Sequence, residues 1–217
     1  LIGGGHAHMV TLAKLHTFVE KGYRLTVIGP SDHHYYSGMG PGMLGKTYAP
    51  ADIRFATRHV VEEKGGTFIR DKATQIIAGE KKVIMASGKT VGYDVISFNA
   101  GSYVPRLDVP ENTRGVYSVK PIERLMEAQA QILEMAAQKK MTIGILGGGP
   151  SAAEVAGNIW QLTRGVGGHV PEIKIFAGNQ FMSPFPDNVR SRVQRSLARR
   201  GIEINTDGYV RSVQSGT

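Results

Sequence analysis

Two short apolar runs end in a triple glycine, Leu1-Ile2-Gly3-Gly4-Gly5 and Ile145-Leu146-Gly147-Gly148-Gly149, and each leads directly into a stretch with helical spacing. No other feature constrains the fold as much. A strand that turns on glycines into a helix gathers unpaired backbone N–H groups and about half a positive charge at one point. Without a Cβ, that backbone can be approached closely by a diphosphate. The required order is Gly-x-Gly-x-x-Gly or Ala directly after a strand. Gly147, Gly149 and Ala152 satisfy it. Gly3 and Gly5 fit it, but the third place holds His8, which must be accommodated by wider packing or by pointing outward.

The surroundings of both turns repeat the same grammar. After the first, Val10, Leu12, Leu15, Phe18 and Val19 make an apolar stripe at helical spacing, Gly22 ends the helix, and 23–29 reads as a buried strand. Residues 51–64 predict a helix ending at Gly65, and 67–98 predict a three-stranded meander followed by a buried strand, Val95 to Phe98. A long helix follows Pro121; after the second turn come a helix and strands near 172–178 and 201–208. This alternation predicts an α/β fold: Rossmann-like parallel sheets with helices on both faces, plus a small antiparallel β-meander. The boundary falls near 115–140, giving units 1–118 and 119–217, both incomplete. Two apolar residues before Gly3 are few for a strand, and the last stretch begins a strand and stops, so a fragment is expected.

Composition excludes several chemistries. With no cysteine among 217 residues, the chain has no disulfide framework, thiolate metal site or redox-active cysteine pair, which is compatible with a reducing cytoplasm. No apolar run approaches the roughly 20 residues that span a bilayer. The net charge of +8 is concentrated partly in Arg190 to Gly201, an amphipathic arginine-rich helix. No aromatic interleaving accompanies it, which disfavours nucleic acid. His6, His8, His16, His33 and His34 match no compact ligand spacing, so no metal is expected. Trp160 reads most simply as core, and Asp94 as a turn or strand-entry residue.

Residues 29–50 have a different texture. Gly38, Gly40, Gly42 and Gly45 interleave with Met39, Met43 and Leu44, too apolar for a solvated linker. A tight backbone approach is expected, either to a flat apolar ligand or to another segment. The acid that normally meets a ribose about 20 residues after such a turn is missing from both units. Asp32 is the nearest carboxylate in the first; the second has Ala177 and Gly178. NAD and NADP are therefore not distinguished.

Two such turns flanking YDVISFNAGS (93–102) resemble the two-dinucleotide-binding flavoproteins of the pyridine nucleotide-disulfide oxidoreductase superfamily. With GGGHAHMVTL (3–12) and HHYYSGMGPGMLGKTY (33–48), the chain is similar to the type II NADH dehydrogenase-like branch, and within it to flavoproteins associated with selenophosphate synthase. The intervening strand departs from the branch's usual ending at Asn99 and Ala100, while Gly101 and Ser102 fit it.

The resemblance implies FAD at the first turn and NAD(P)H at the second. It places the flavin diphosphate on Gly3, Gly4, Gly5, His6 and Ala7. Pro30 and Ser31 would lie near the ribose and Ala73 near the adenine. Tyr36, Ser37, Gly38, Met39 and Gly42 would run beside the isoalloxazine, and Gly101 and Ser102 near the phosphates and ribose. Gly147, Gly149, Pro150, Ser151 and Ala152 would bind the nicotinamide dinucleotide, with Glu154 toward the nicotinamide. Met39 and Met43 could equally fill core, and Glu154 could be a solvated helix residue. The implied activity is transfer of a hydride from NAD(P)H to flavin and on to an unidentified acceptor. A quinone is one candidate, with peripheral membrane contact made through a region C-terminal to this sequence. No catalytic residue is singled out and the oligomeric state is unknown. The alternative is a non-catalytic nucleotide-binding or regulatory module that keeps the fold.

Overall fold

The computed structural model describes residues 1–104, 109, 113, 115–165 and 167–214. In chain order the elements begin with α1 (His6–Ala13), α2 (Leu15–Val19), β1 (Thr26–Gly29), β2 (His34–Tyr35), α3 (Gly40–Leu44), β3 (Arg54–Phe55) and α4 (Thr57–Glu63). Then follow β4 (Thr67–Arg70), β5 (Ala73–Ile77), β6 (Lys82–Met85), β7 (Thr90–Gly92), α5 (Glu123–Gln138), β8 (Thr142–Leu146), α6 (Pro150–Arg164), β9 (Glu172–Phe176), α7 (Asp187–Ala198) and β10 (Glu203–Asn205). They fall into two compact units, Leu1–Tyr36 with Arg54–Ser102, and Ser37–Ile53 with Tyr103–Thr217. Residues 37–53 thus group with the second unit.

In the first unit β1 and β4 pair in parallel, Val27 opposite Phe68 and Ile28 opposite Ile69. Ile2 bridges Ile28 on one side and Phe98 on the other, also in parallel. Because side chains alternate along a strand, Val27 and Phe68 face one way, where Leu12, Leu15 and Val61 of the helices complete a core. Ile2 and Ile28 face the other way, onto Val83 and Met85 of the antiparallel sheet β5-β6-β7. The meander is therefore present and covers one face of the parallel strands.

Three local expectations give way to tertiary contacts. The helix expected over 51–64 is shorter, because Arg54–Phe55 pair antiparallel with His34–Tyr35 before α4 starts at Thr57. The stripe from Val10 to Val19 is split at Lys14; Leu12 and Leu15 are buried, whereas Val10 and Phe18 are exposed. Val95–Phe98 is not a buried strand: pairing is confined to Phe98 with Ile2, and Val95 is 87% and Phe98 56% exposed.

In the second unit β8, β9 and β10 lie side by side in parallel, and α6 and α7 connect them. Helix α6 buries Ala152, Val155, Ala156, Ile159 and Leu162, a single face at three- and four-residue spacing. Against it and α5 packs α3. A Cβ at Gly40 would fall 2.7 Å from Ile122 Cδ1, and one at Gly45 would fall 2.3 Å from Asn158 Oδ1. Gln129 Nε2 donates to the carbonyls of Met43 and Leu44 at 2.7 and 2.9 Å. Of the two approaches open to this glycine-rich stretch, the one seen here is to neighbouring helices. Met43 is core and Met39 half-buried. Trp160 is not simple core: the guanidinium carbons of Arg164 and Arg200 lie 4.6 and 5.1 Å from its ring centroid. Among the described residues no helix is long and apolar enough to cross a membrane.

Candidate functional site

The first glycine turn starts where Ile2 leaves its parallel bridges. Gly3 has φ +82° and donates its N–H to Ile28 O, and Gly5 is the extended residue before α1. All three glycines are demanded by the protein's own packing. A Cβ at Gly3 would fall 2.3 Å from Asn99 O, at Gly4 2.7 Å from Thr57 Cγ2, and at Gly5 1.7 Å from Asn99 Oδ1. The turn is nevertheless open on its other side. His6 and Ala7 are exposed, and the amides of Gly4, His6 and Ala7 have no hydrogen-bond partner among the described residues.

His8 does not point outward. It is 5% exposed, its Nδ1 lies 2.7 Å from Gly3 O, and its Nε2 lies 2.9 Å from Ser97 Oγ. The larger residue in the third place is thus absorbed as a hydrogen-bonded strut between turn and neighbouring chain. The turn also receives Tyr36, whose ring stacks on His6 with centroids 5.2 Å apart.

Beyond β1, Pro30 is exposed and Ser31 Oγ accepts the His33 N–H at 3.2 Å. Asp32 lies 3.6 Å from both Arg58 Nη1 and Arg70 Nη1, ion pairs too long to be hydrogen bonds, and its Oδ1 is buried without a hydrogen-bond partner among the described residues. The Arg58 guanidinium is pushed above its ordinary value, first by its hydrogen bond to Glu62 and then by the charges of Glu62 and Asp32. Ala73 opens β5, half-buried beside the Ile28 core. Gly101, φ +79°, and Ser102 are exposed. Ser37, Gly38, Met39 and Gly42 belong to the second unit, Gly42 lying against the Tyr48 ring.

The second turn uses its glycines differently. Gly147, φ +132°, donates to Phe176 O at 3.0 Å, and a Cβ at Gly148 would fall 2.6 Å from Ala177 O. A Cβ at Gly147 or Gly149 would meet no protein atom within 4 Å. Gly149 precedes α6, Pro150 occupies its first turn, and Ala152 is buried against the sheet. The amides of Gly148, Gly149 and Ser151 have no partner among the described residues. Beside this turn lies a cavity of about 220 Å³ lined by Leu146, Gly147, Ala177, Gly178 and Tyr209 among others. Glu154 is exposed one turn along α6. Both turns therefore offer what a diphosphate needs: outward amides at a helix start, unspent on the protein.

Ser97 lies within the quoted stretch 93–102 but no motif gives it a role, and none gives one to Thr57 or Tyr209; their roles arise from contacts across 89, 53 and 31 positions of chain. Among the described residues there is no group of histidine and carboxylate side chains able to hold a metal.

A family model described as pyridine nucleotide-disulphide oxidoreductase matches residues 1–217. The NADH dehydrogenase-like protein YutJ of Bacillus subtilis is 23% identical over 220 residues, covering 100% of this chain and 59% of that protein. Among solved structures, the sulfide:quinone oxidoreductase of Aquifex aeolicus aligns with TM-score 0.77 at 18% identity, over 98% of this chain and 51% of that one. The water-forming NADH oxidase of Lactobacillus brevis, bound to NADH, aligns with TM-score 0.78 at 19% identity, over 99% and 47%. The chain thus spans about half the length of the relatives it matches.

Proposed function

The chain belongs to the pyridine nucleotide-disulphide oxidoreductase family, and on that premise we propose that it is the dinucleotide-binding part of an FAD-dependent NAD(P)H oxidoreductase. Residues 1–118 would hold FAD and 119–217 the nicotinamide dinucleotide. Bound flavin supplies two-electron chemistry between the nicotinamide and an acceptor.

The chain's own residues bind and orient. The amides of Gly4, His6 and Ala7 would donate to one diphosphate at the start of α1, and those of Gly149 and Ser151 to another at the start of α6. Tyr36, held by its stack on His6, would border the flavin. Pro30 and Ser31 would approach the ribose, Ala73 the adenine, Gly101 and Ser102 the flavin phosphates, and Glu154 the nicotinamide. Asp32, whose buried Oδ1 has no hydrogen-bond partner among the described residues, would take the ribose hydroxyls together with Ser31 and backbone. A direct hydride step needs no general acid or base from the protein, and none is assigned.

The observation that carries this reading is the pair of strand–glycine–helix turns, each with unpartnered outward amides. For the acceptor we favour a quinone, supported by the sulfide:quinone oxidoreductase likeness; electrons would then be delivered in the cytoplasm, at the membrane face. The test is the absorbance of the purified full-length protein. A yellow preparation bleached anaerobically by NADH or NADPH, and recoloured by a water-soluble quinone, is expected. A colourless protein that binds ADP but no flavin would replace this reading with a non-catalytic nucleotide module.

A further inference from the structure

We propose that His8 is a positioning residue that sets the Gly3–Gly4 peptide so that the Gly4 N–H faces the diphosphate; this rests on the flavin reading above. The position is where the fingerprint calls for glycine or alanine, so that helix and strand can lie close. Here a polar ring is buried instead, and buried polar groups are retained where they are hydrogen-bonded. Both ring nitrogens of His8 are in use, Nδ1 at 2.7 Å from Gly3 O and Nε2 at 2.9 Å from Ser97 Oγ.

The chemistry of the partners fixes direction. Gly3 O can only accept, so Nδ1 carries the hydrogen; in the neutral ring Nε2 then accepts from the Ser97 hydroxyl. Ser97 is itself anchored, because its carbonyl accepts the Ile2 N–H at 2.8 Å. The ring therefore pins Gly3 O against a fixed point of the sheet.

Pinning that carbonyl has a consequence on the other side of the peptide. In a planar trans peptide the C=O and the following N–H point in opposite directions. With Gly3 O turned in toward His8, the Gly4 N–H is turned out, and it has no partner among the described residues. A Gly–Gly peptide is the kind most free to rotate, since neither flanking residue has a Cβ to restrict it. Rotated, it would offer a carbonyl oxygen to the phosphate in place of a donor. His8 selects the donor orientation before any ligand arrives.

The test compares His8→Leu, His8→Asn and Ser97→Ala in the full-length protein. Leucine fills the space without a donor; the asparagine amide nitrogen can stand where Nδ1 stands and still donate to Gly3 O. ADP affinity by calorimetry and flavin retention by absorbance are read beside the melting temperature. His8→Leu is expected to weaken ADP about tenfold or more, the loss of one charge-assisted hydrogen bond. His8→Asn is expected to stay within about threefold of wild type while melting lower, because it keeps the one donor that matters here. Ser97→Ala behaves like His8→Asn. A His8→Leu protein with wild-type affinity, or a His8→Asn protein as weak as His8→Leu, would overturn the proposal. Nitrogen-15 NMR of the wild-type imidazole gives a second check independent of any variant: finding the hydrogen on Nε2 rather than Nδ1 in the neutral ring would also overturn it. A wild-type protein that binds neither ADP nor flavin would instead defeat the flavin reading itself.

Discussion

The ring of Tyr209 stands over Gly178, so close that a Cβ on Gly178 would fall 2.5 Å from Cε1. The pair caps the end of β9, where dinucleotide folds usually place the acid that takes the ribose hydroxyls. Here the strand runs into Ala177 and Gly178, and the lining is an aromatic edge without a carboxylate. Among the described residues lining it, no carboxylate stands where a 2′-phosphate would lie. The expected outcome is use of NADH and NADPH with kcat/KM values within about tenfold of each other, and a shift of about tenfold or more toward NADH in Ala177→Glu, the size of one charged hydrogen-bonding difference. Steady-state kinetics with both nucleotides decides this.

The two glycine turns should respond differently to alanine. Gly149 has φ −84° and a Cβ there meets nothing, so Gly149→Ala should leave the unfolding free energy within about 1 kcal/mol of wild type. It should nonetheless weaken nicotinamide dinucleotide binding, because the methyl occupies the space offered to the diphosphate. Gly5→Ala displaces the Asn99 side chain and places its methyl 2.8 Å from the Asn99 backbone oxygen, which should cost about 1–3 kcal/mol through overpacking, whatever ligand is present. Urea unfolding alongside calorimetric titration separates the two effects.

Much of this was readable from short-range pattern. Each glycine turn lies within a few residues of the strand and helix that define it, and α5, α6 and the β5–β7 meander announce themselves by periodicity and turn residues. What escaped depends on distant partners. Arg54–Phe55 is a strand because His34–Tyr35 comes beside it, and local propensity yields to such pairing. His8 turns inward because Ser97 stands ready to accept its second nitrogen. Trp160 meets a second guanidinium because Arg200, forty positions on, returns to it. No window of sequence contains both members of any of these pairs.

Acid should loosen the β4–β5 corner of the first unit. The Asp71 carboxyl is held below the ordinary aspartate value, first by the Ser87 hydroxyl that donates to Oδ2 and then by the Lys72 amide on Oδ1. A carboxyl whose folded pKa lies below its unfolded one stabilises fully above the unfolded value of about 3.9, and the contribution fades as pH falls from there through the folded pKa. Ser87→Ala removes the largest cause. Its melting temperature should lie slightly below wild type at neutral pH, and the gap should close as pH falls through the folded pKa, below which both proteins carry the protonated acid. A gap independent of pH would mean that the hydroxyl acts by packing alone.

Gln129 offers the sharpest stability test of the second unit. Helix α3 is only five residues long; the following turn supplies N–H groups to Pro41 O, Gly42 O and Met43 O, but none to Leu44 O among the described residues. Gln129 Nε2 fills that need on Leu44 O and donates to Met43 O as well, and Gln161 Nε2 donates to Gly45 O at 3.3 Å and Thr47 Oγ1 at 3.1 Å. Gln129→Leu keeps volume and loses both donors; Met43 O keeps the Lys46 N–H at 3.0 Å, so the cost of about 1–3 kcal/mol falls on Leu44 O, left without a partner among the described residues. Gln129→Glu is nearly isosteric yet replaces the donor with a carboxylate facing two carbonyl oxygens. Its charged form is disfavoured in the fold, so its pKa rises above the usual glutamate value of about 4.3. The variant should therefore be weaker than Gln129→Leu at pH 7 and recover as pH falls through the raised value, when the protonated acid can donate again. Hydrogen exchange of the 40–47 amides and thermal unfolding across pH 4 to 7 read this out, as about three units spanning the expected titration. Equal stability of the leucine and glutamate variants at neutral pH would show that the amide donor does not hold α3 in place.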